Sequence, residues 1–193
     1  MDINSKYYDE NADAFIADTF ECDMSAQYHF FEKYISANAK TILDLGFGSG
    51  RDSLYFINKG YDVYAIDPSK KFCENAKRIG IKNVFQITAQ EIVFTNLFDG
   101  IWACASLLHV PSKELPKVFE KCANALKDGG IMYASFKYGD FEGERNGRVF
   151  LDIDENSINS FLINTGLTIK EILITDDVRP NKREKWLNVI LKK

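Results

Sequence analysis

The chain has 193 residues, 46% hydrophobic and 27% charged, a balance that fits one domain able to bury a core. With 15 Phe, 9 Tyr and 2 Trp to bury, general disorder is excluded. The net charge of −4 argues against an electrostatic grip on nucleic acid or acidic lipid.

Residues 5–37 carry apolar side chains at helical spacing (Tyr8, Ala12, Phe15 and Ile16, then Met24, Tyr28, Phe31 and Ile35), which predicts a helical amino-terminal cap. The pattern changes at Thr41–Leu45, a short apolar run that ends in a glycine cluster and reads as a buried strand. A helix is expected over Asp52–Lys59, a strand over Tyr61–Ile66, a helix over Lys70–Ile79, and strands over Val84–Ile87 and Gly100–Cys104. The amphipathic series from Leu115 to Leu126 predicts a helix capped by Ser112 and stopped by Gly129. A strand over Ile131–Phe136, a polar loop, a helix over Asp154–Asn164 and two strands, Leu167–Thr175 and Trp186–Leu191, complete the chain. Alternating strands and helices predict a mainly parallel sheet covered on both faces. The last two strands are joined by about ten polar residues, too few for a crossover, so they should pair antiparallel.

Four scattered cysteines without a CxxC pair read as reduced, mostly buried thiols, and no metal site is expected. The acidic amino terminus lacks an apolar leader, and Ile101–Val110 is too short to span a bilayer. A cytoplasmic protein with no membrane or nucleic-acid partner is expected, as a monomer or homodimer.

The sharpest motif is Asp44-Leu45-Gly46-Phe47-Gly48-Ser49-Gly50, set between a strand and a helix. Glycines there permit a tight turn and a close ligand approach, and Asp67, at the end of the next strand, can accept hydrogen bonds from both ribose hydroxyls. The plain alternative is a glycine turn followed by a helix-capping aspartate. A dinucleotide site wants Gly or Ala at the third glycine position, where this chain has Arg51 or Ser53, and its strand ends in Asp44, an acid that repels a pyrophosphate but suits an ammonium. No Gly-Lys-Ser/Thr follows, which excludes a P-loop.

Through DLGFGSG, AIDPS, ITAQEIVF and FDGIWACASLLHVP the chain resembles the class I S-adenosylmethionine-dependent methyltransferases, and within them the small type 11 and tellurite-resistance members. The resemblance implies an α/β, Rossmann-like, doubly wound sheet of seven strands with a carboxyl-terminal antiparallel hairpin and amino-terminal lid helices. Residues 1–193 would then form one domain, a 1–37 cap on a 38–193 core. It implies S-adenosyl-L-methionine as cofactor: Gly46, Gly48 and Gly50 under the methionine, Asp44 toward its ammonium, and Asp67 on the ribose. Ala89, Gln90 and Phe94 would surround the adenine, and Ala105 and Leu108 would wall the methionine side. Thr88 stands where many relatives have an acid, and Phe47 where a small or polar residue is common.

For the reaction, His109 is either a general base or a histidine that satisfies a backbone carbonyl. Tyr7 and Tyr8 either fold over the cofactor or bury a helix. All four arginines after residue 78 fall in two loops, 137–148 and 179–183. Arg145, Arg148 and Arg179, with Tyr138 beside them, are expected to hold a small anionic acceptor, unless they pair with the neighbouring acids. A nicotinamide-dependent oxidoreductase and a catalytically silent cofactor-binding protein are the alternatives.

Overall fold

The computed structural model describes residues 3–179 and 182–193, so Pro180 and Asn181 of the second arginine loop lie outside the described residues. The cap breaks into three helices, α1 (Ile3–Glu10), α2 (Ala12–Thr19) and α3 (Ser25–Glu32). The expected single run is interrupted because Asp23 turns the chain, its carboxylate accepting from the Ser25 N–H at 2.9 Å. The core then alternates: β1 (Thr41–Leu45), α4 (Arg51–Asn58), β2 (Asp62–Ile66), α5 (Lys70–Arg78), β3 (Asn83–Phe85) and β4 (Phe98–Ala103). It continues with α6 (Leu115–Ala125), β5 (Leu126–Lys137), β6 (Glu142–Arg145), β7 (Arg148–Leu151), α7 (Glu155–Phe161), β8 (Thr168–Asp176) and β9 (Lys185–Lys192).

Seven strands form one sheet in the order β3-β2-β1-β4-β5-β9-β8, with β1 to β5 parallel. The expected hairpin of β8 and β9 is present, and its reversed strand inserts between β5 and β8. The burial explains this order. In β9, Leu187, Val189, Ile190 and Leu191 are all buried, so both faces need cover, whereas β8 has no buried residue and takes the edge. Two apolar layers sandwich the sheet: one gathers Phe98, Phe119, Met132, Phe136 and Leu187, the other Phe31, Phe56, Trp102 and Tyr133.

Two boundaries depart from the sequence reading. Helix α6 starts at Leu115 with Pro116 in its first turn, and it ends at Ala125, where Leu126 turns extended (φ −71°, ψ 143°) and opens a twelve-residue strand. Ser112 is not its cap; the Ser112 N–H donates instead to Glu142 Oε1 at 2.8 Å. The region read as a polar loop contains the hairpin β6–β7, turned by Asn146 (φ 51°) and Gly147 (φ 75°). No helix among the described residues is long and apolar enough to cross a membrane.

Candidate active site

A cavity of about 790 Å³ opens at the carboxyl ends of β1, β2, β4 and β5, beneath the three cap helices. Its floor is the glycine loop, where Gly46 (φ 75°), Gly48 (φ 52°) and Gly50 (φ 86°) all take left-handed backbone that L side chains adopt at a cost. Gly46 is also packed close: a Cβ there would lie 2.3 Å from Ser106 Cβ, so the loop after β4 rests directly on β1's end. Gly50 caps α4 and leads straight into Arg51 and Asp52.

Asp67 closes β2 with its carboxylate buried. One oxygen accepts from the Gly48 N–H at 3.1 Å and the other from the Ser69 N–H at 2.9 Å, so glycine loop and carboxylate form one unit. Burial pushes the Asp67 carboxyl up to about 6, against the pull of those two N–H donors and with the help of Asp9. Each oxygen keeps a lone pair for a hydroxyl partner. Ala89, Gln90, Ala105 and Leu108 line the same cavity, Gln90 tethered through Nε2 to Glu114 at 3.0 Å. Ala105 sits in left-handed backbone (φ 50°), its N–H held by Ser135 Oγ at 2.8 Å.

Three expectations need correction. Asp44 does not face the cavity: it is sealed behind the loop, accepting from Ser53 Oγ at 2.6 Å, and burial beside Asp52 raises its pKa well above the ordinary carboxylate range. Phe94 is not in the wall either, since it packs on Phe85 and Phe98 with ring centroids 5.7 and 5.2 Å away. Tyr138 points outward, away from the cavity, and its hydroxyl donates to Glu155 at 2.9 Å.

The cap joins the site through α1. Asn4 pairs with the β7 backbone as another strand would, its Oδ1 accepting from Val149 N–H at 2.8 Å and its Nδ2 donating to Val149 O at 3.3 Å. Asp9 caps the start of α5, accepting from Ser69 Oγ at 2.6 Å and Lys71 N–H at 3.1 Å. Phe15 lies over the loop, 3.1 Å from where a Cβ of Gly48 would stand. Tyr8 joins His109, its hydroxyl 2.8 Å from Nε2, while His109 Nδ1 lies 2.7 Å from Val149 O. A carbonyl only accepts, so Nδ1 carries a proton, and in the neutral ring Nε2 then accepts from Tyr8.

The arginines divide. Arg179 spends its fork on Asp177, at 3.0 and 2.6 Å, and Arg145 reaches Asp152 at 2.5 Å. Arg148 has no carboxylate partner among the described residues; it donates to Tyr8 OH at 3.3 Å and stacks 4.5 Å from the Tyr7 ring centroid. Arg183 does not line the cavity.

A second charged cluster, which the sequence reading missed, stands at the start of α4. Asp52 accepts from Arg51 Nε at 2.7 Å, Arg51 Nη2 at 3.0 Å, Tyr28 OH at 2.5 Å and Trp102 Nε1 at 2.9 Å. Burial alone would raise Asp52, but Arg51 and these donors hold it below the usual carboxylate range. Finally, the buried side-chain polar atoms left without a partner among the described residues are Gln27 Oε1, Ser106 Oγ and Arg148 Nε, and all three residues line this one cavity. Orphaned atoms cost stability unless a ligand completes them, so their gathering marks the cavity as a binding site.

Residues 42–130 match a family model described as a methyltransferase domain. The 1,6-didemethyltoxoflavin-N1-methyltransferase of Burkholderia thailandensis superposes with a TM-score of 0.78 at 20% identity, covering 99% of this chain and 87% of that one. A SAM-dependent methyltransferase from Methanosarcina mazei gives a TM-score of 0.72 at 20% identity, over 85% and 96% of the two chains. The [4+2]-cyclase SpnF gives 0.75 at 13% identity, over 98% and 94%. No curated protein matches in sequence. The shared fold carries the architecture; the chemistry rests on the site.

Proposed function

We propose that the protein transfers the methyl of S-adenosylmethionine to a small anionic acceptor, a reading supported by the methyltransferase family model that residues 42–130 match and by the fold shared with solved methyltransferases. The observation that carries this reading is the Asp67 carboxylate bound to the Gly48 N–H at the floor of a covered cavity. When bound, the cofactor supplies a methyl on a sulfonium, an already activated leaving group, so the protein's task is positioning and exclusion of water. Asp67 holds the ribose, Ala89 and Gln90 flank the adenine, and Ala105 and Leu108 wall the methionine side. Tyr8, Phe15 and the rest of the cap cover the ligand from solvent. A dinucleotide is disfavoured by Arg51, which is locked onto Asp52 where a pyrophosphate-binding turn wants a small residue.

The small-molecule character of the acceptor is supported by the Burkholderia enzyme, whose acceptor is a small molecule. Its negative charge is argued from Arg148, the arginine of the three that keeps its charge free of a carboxylate among the described residues. With an acceptor bearing an O–H or N–H, the Tyr8 oxygen would take the acceptor's proton as Tyr8 passes its own to His109 Nε2.

An acceptor screen read through S-adenosylhomocysteine release tests the reaction. With the acceptor so found, Arg148→Ala should raise KM at least tenfold and leave S-adenosylmethionine affinity within twofold. Arg179→Ala, which frees the buried Asp177, should lower Tm and move KM less. Equal KM for Arg148→Ala and the unmodified protein would remove the anionic acceptor.

A further inference from the structure

The cavity continues past the glycine loop to Gln27, Arg51 and Asp52, a part of the wall that the ribose and adenine contacts leave unused. Gln27 lies on α3, only 6% exposed, and its Oε1 has no hydrogen-bond partner among the described residues. Gln27 lines the same cavity as Arg51 and Asp52, and its neighbour Tyr28 ties α3 to Asp52 at 2.5 Å. Arg51 is fixed by two bonds to Asp52 and a third from Nη1 to Thr19 O at 3.0 Å. A guanidinium has five N–H donors, so two remain, on a fork whose plane is already set.

These groups match the two ends of an amino acid. An amide oxygen accepts from an ammonium, and spare guanidinium N–H groups donate to a carboxylate. Asp44, expected from the sequence to face the ammonium, is committed to Ser53 behind the loop. The glycine loop that holds Asp67 through the Gly48 N–H runs straight into Arg51, and Asp67, Arg51 and Gln27 line one cavity, so an amino acid tethered to a ribose on Asp67 has the clamp within the same space. We propose that Gln27 and Arg51 form an amino-acid clamp: Gln27 Oε1 takes the ammonium and Arg51 the α-carboxylate of the cofactor's methionine tail. The clamp makes the protein selective for nucleosides that keep a complete amino acid. It deepens the S-adenosylmethionine reading above and rests on it.

The test is titration calorimetry with S-adenosylhomocysteine, decarboxylated S-adenosylmethionine and 5′-methylthioadenosine, the last lacking the amino acid altogether. Gln27→Met keeps the side chain's length and removes its polar atoms. It should weaken binding of the two ammonium-bearing ligands by about ten- to a hundredfold, the range for a hydrogen bond to a charged group. Binding of 5′-methylthioadenosine should change less than twofold. Tm of the ligand-free protein should hold or rise, because an orphaned buried oxygen has been removed. Gln27→Glu, which offers a carboxylate to the ammonium, should retain S-adenosylhomocysteine binding and serves if the methionine variant fails to fold. Equal weakening of all three ligands, weakening of none, or loss of S-adenosylhomocysteine binding by a folded Gln27→Glu would overturn the clamp while leaving the cofactor reading intact. Failure of the unmodified protein to bind any of the three would overturn both.

Discussion

Gly48→Val should abolish detectable S-adenosylmethionine binding while the sheet still folds. Gly48 sits at φ 52°, a conformation that a β-branched residue adopts only under strain of about 1–2 kcal/mol. The added Cβ would lie 3.1 Å from the Phe15 ring, and the branches beyond it would fill the space between loop and cap. The Gly48 N–H that orients Asp67 would be displaced with them. Far-UV circular dichroism should stay native, and calorimetry with S-adenosylmethionine should show no heat. Gly60→Ala is the control: its φ of 91° carries backbone strain, but a Cβ there meets nothing within 4 Å, so binding should survive. Normal binding by Gly48→Val would reduce the glycine loop to a turn.

Asp67→Ala should weaken S-adenosylmethionine binding by about 1.5–3 kcal/mol, the scale for losing hydrogen bonds to a charged group, or roughly ten- to a hundredfold in Kd. A pH dependence follows from the same residue. The Asp67 carboxyl titrates at about 6 in the folded protein, above the ordinary 3.8. The ionised form accepts two hydroxyl bonds and the protonated form fewer, so affinity should rise with pH through 6 and level off near 7. At pH 5 it should be up to about tenfold weaker than at pH 7, one pH unit below the midpoint. Asp67→Asn should flatten the profile. The stability effect has the opposite sign: a carboxyl raised by burial contributes stability that is full below pH 3.8 and lost as pH rises through 6. Asp67→Asn should lose this pH dependence of stability, at the cost of one of the two backbone bonds, since its Nδ2 cannot accept from the Gly48 or the Ser69 N–H. An unchanged affinity in Asp67→Ala would mean that the ribose is held elsewhere.

The parts of the fold legible in the sequence are those with a strong local pattern. Thr41–Leu45 ends in glycines, Ser69 caps α5 with its side chain 3.2 Å from Phe72 N–H, and Asp154 caps α7. The β6–β7 hairpin reads as a polar loop instead: its Asn146-Gly147 pair is a turn signal, but the flanking Glu144, Arg145 and Arg148 hide the strands behind charge. What sequence could not supply was which of several available partners a side chain takes once the chain is folded. Asp44 reads as a strand-end acid, and only the packing of α4 on β1 turns it onto Ser53, nine residues on. Arg179 reads either as an anion-binding arginine or as the partner of a neighbouring acid, and the fold gives it to Asp177, whose Oδ2 also accepts from Trp186 Nε1. Gln27 looks like any helix residue, because its lack of a partner is a property of the folded cavity.

The most direct measurement is calorimetric titration of the purified protein with S-adenosylhomocysteine and, separately, with NADPH. One S-adenosylhomocysteine should bind per chain, with affinity lost in Gly48→Val and reduced in Asp67→Ala, while NADPH gives no heat. Saturable binding of NADPH with none of S-adenosylhomocysteine would contradict the assignment of this cavity to a sulfonium cofactor.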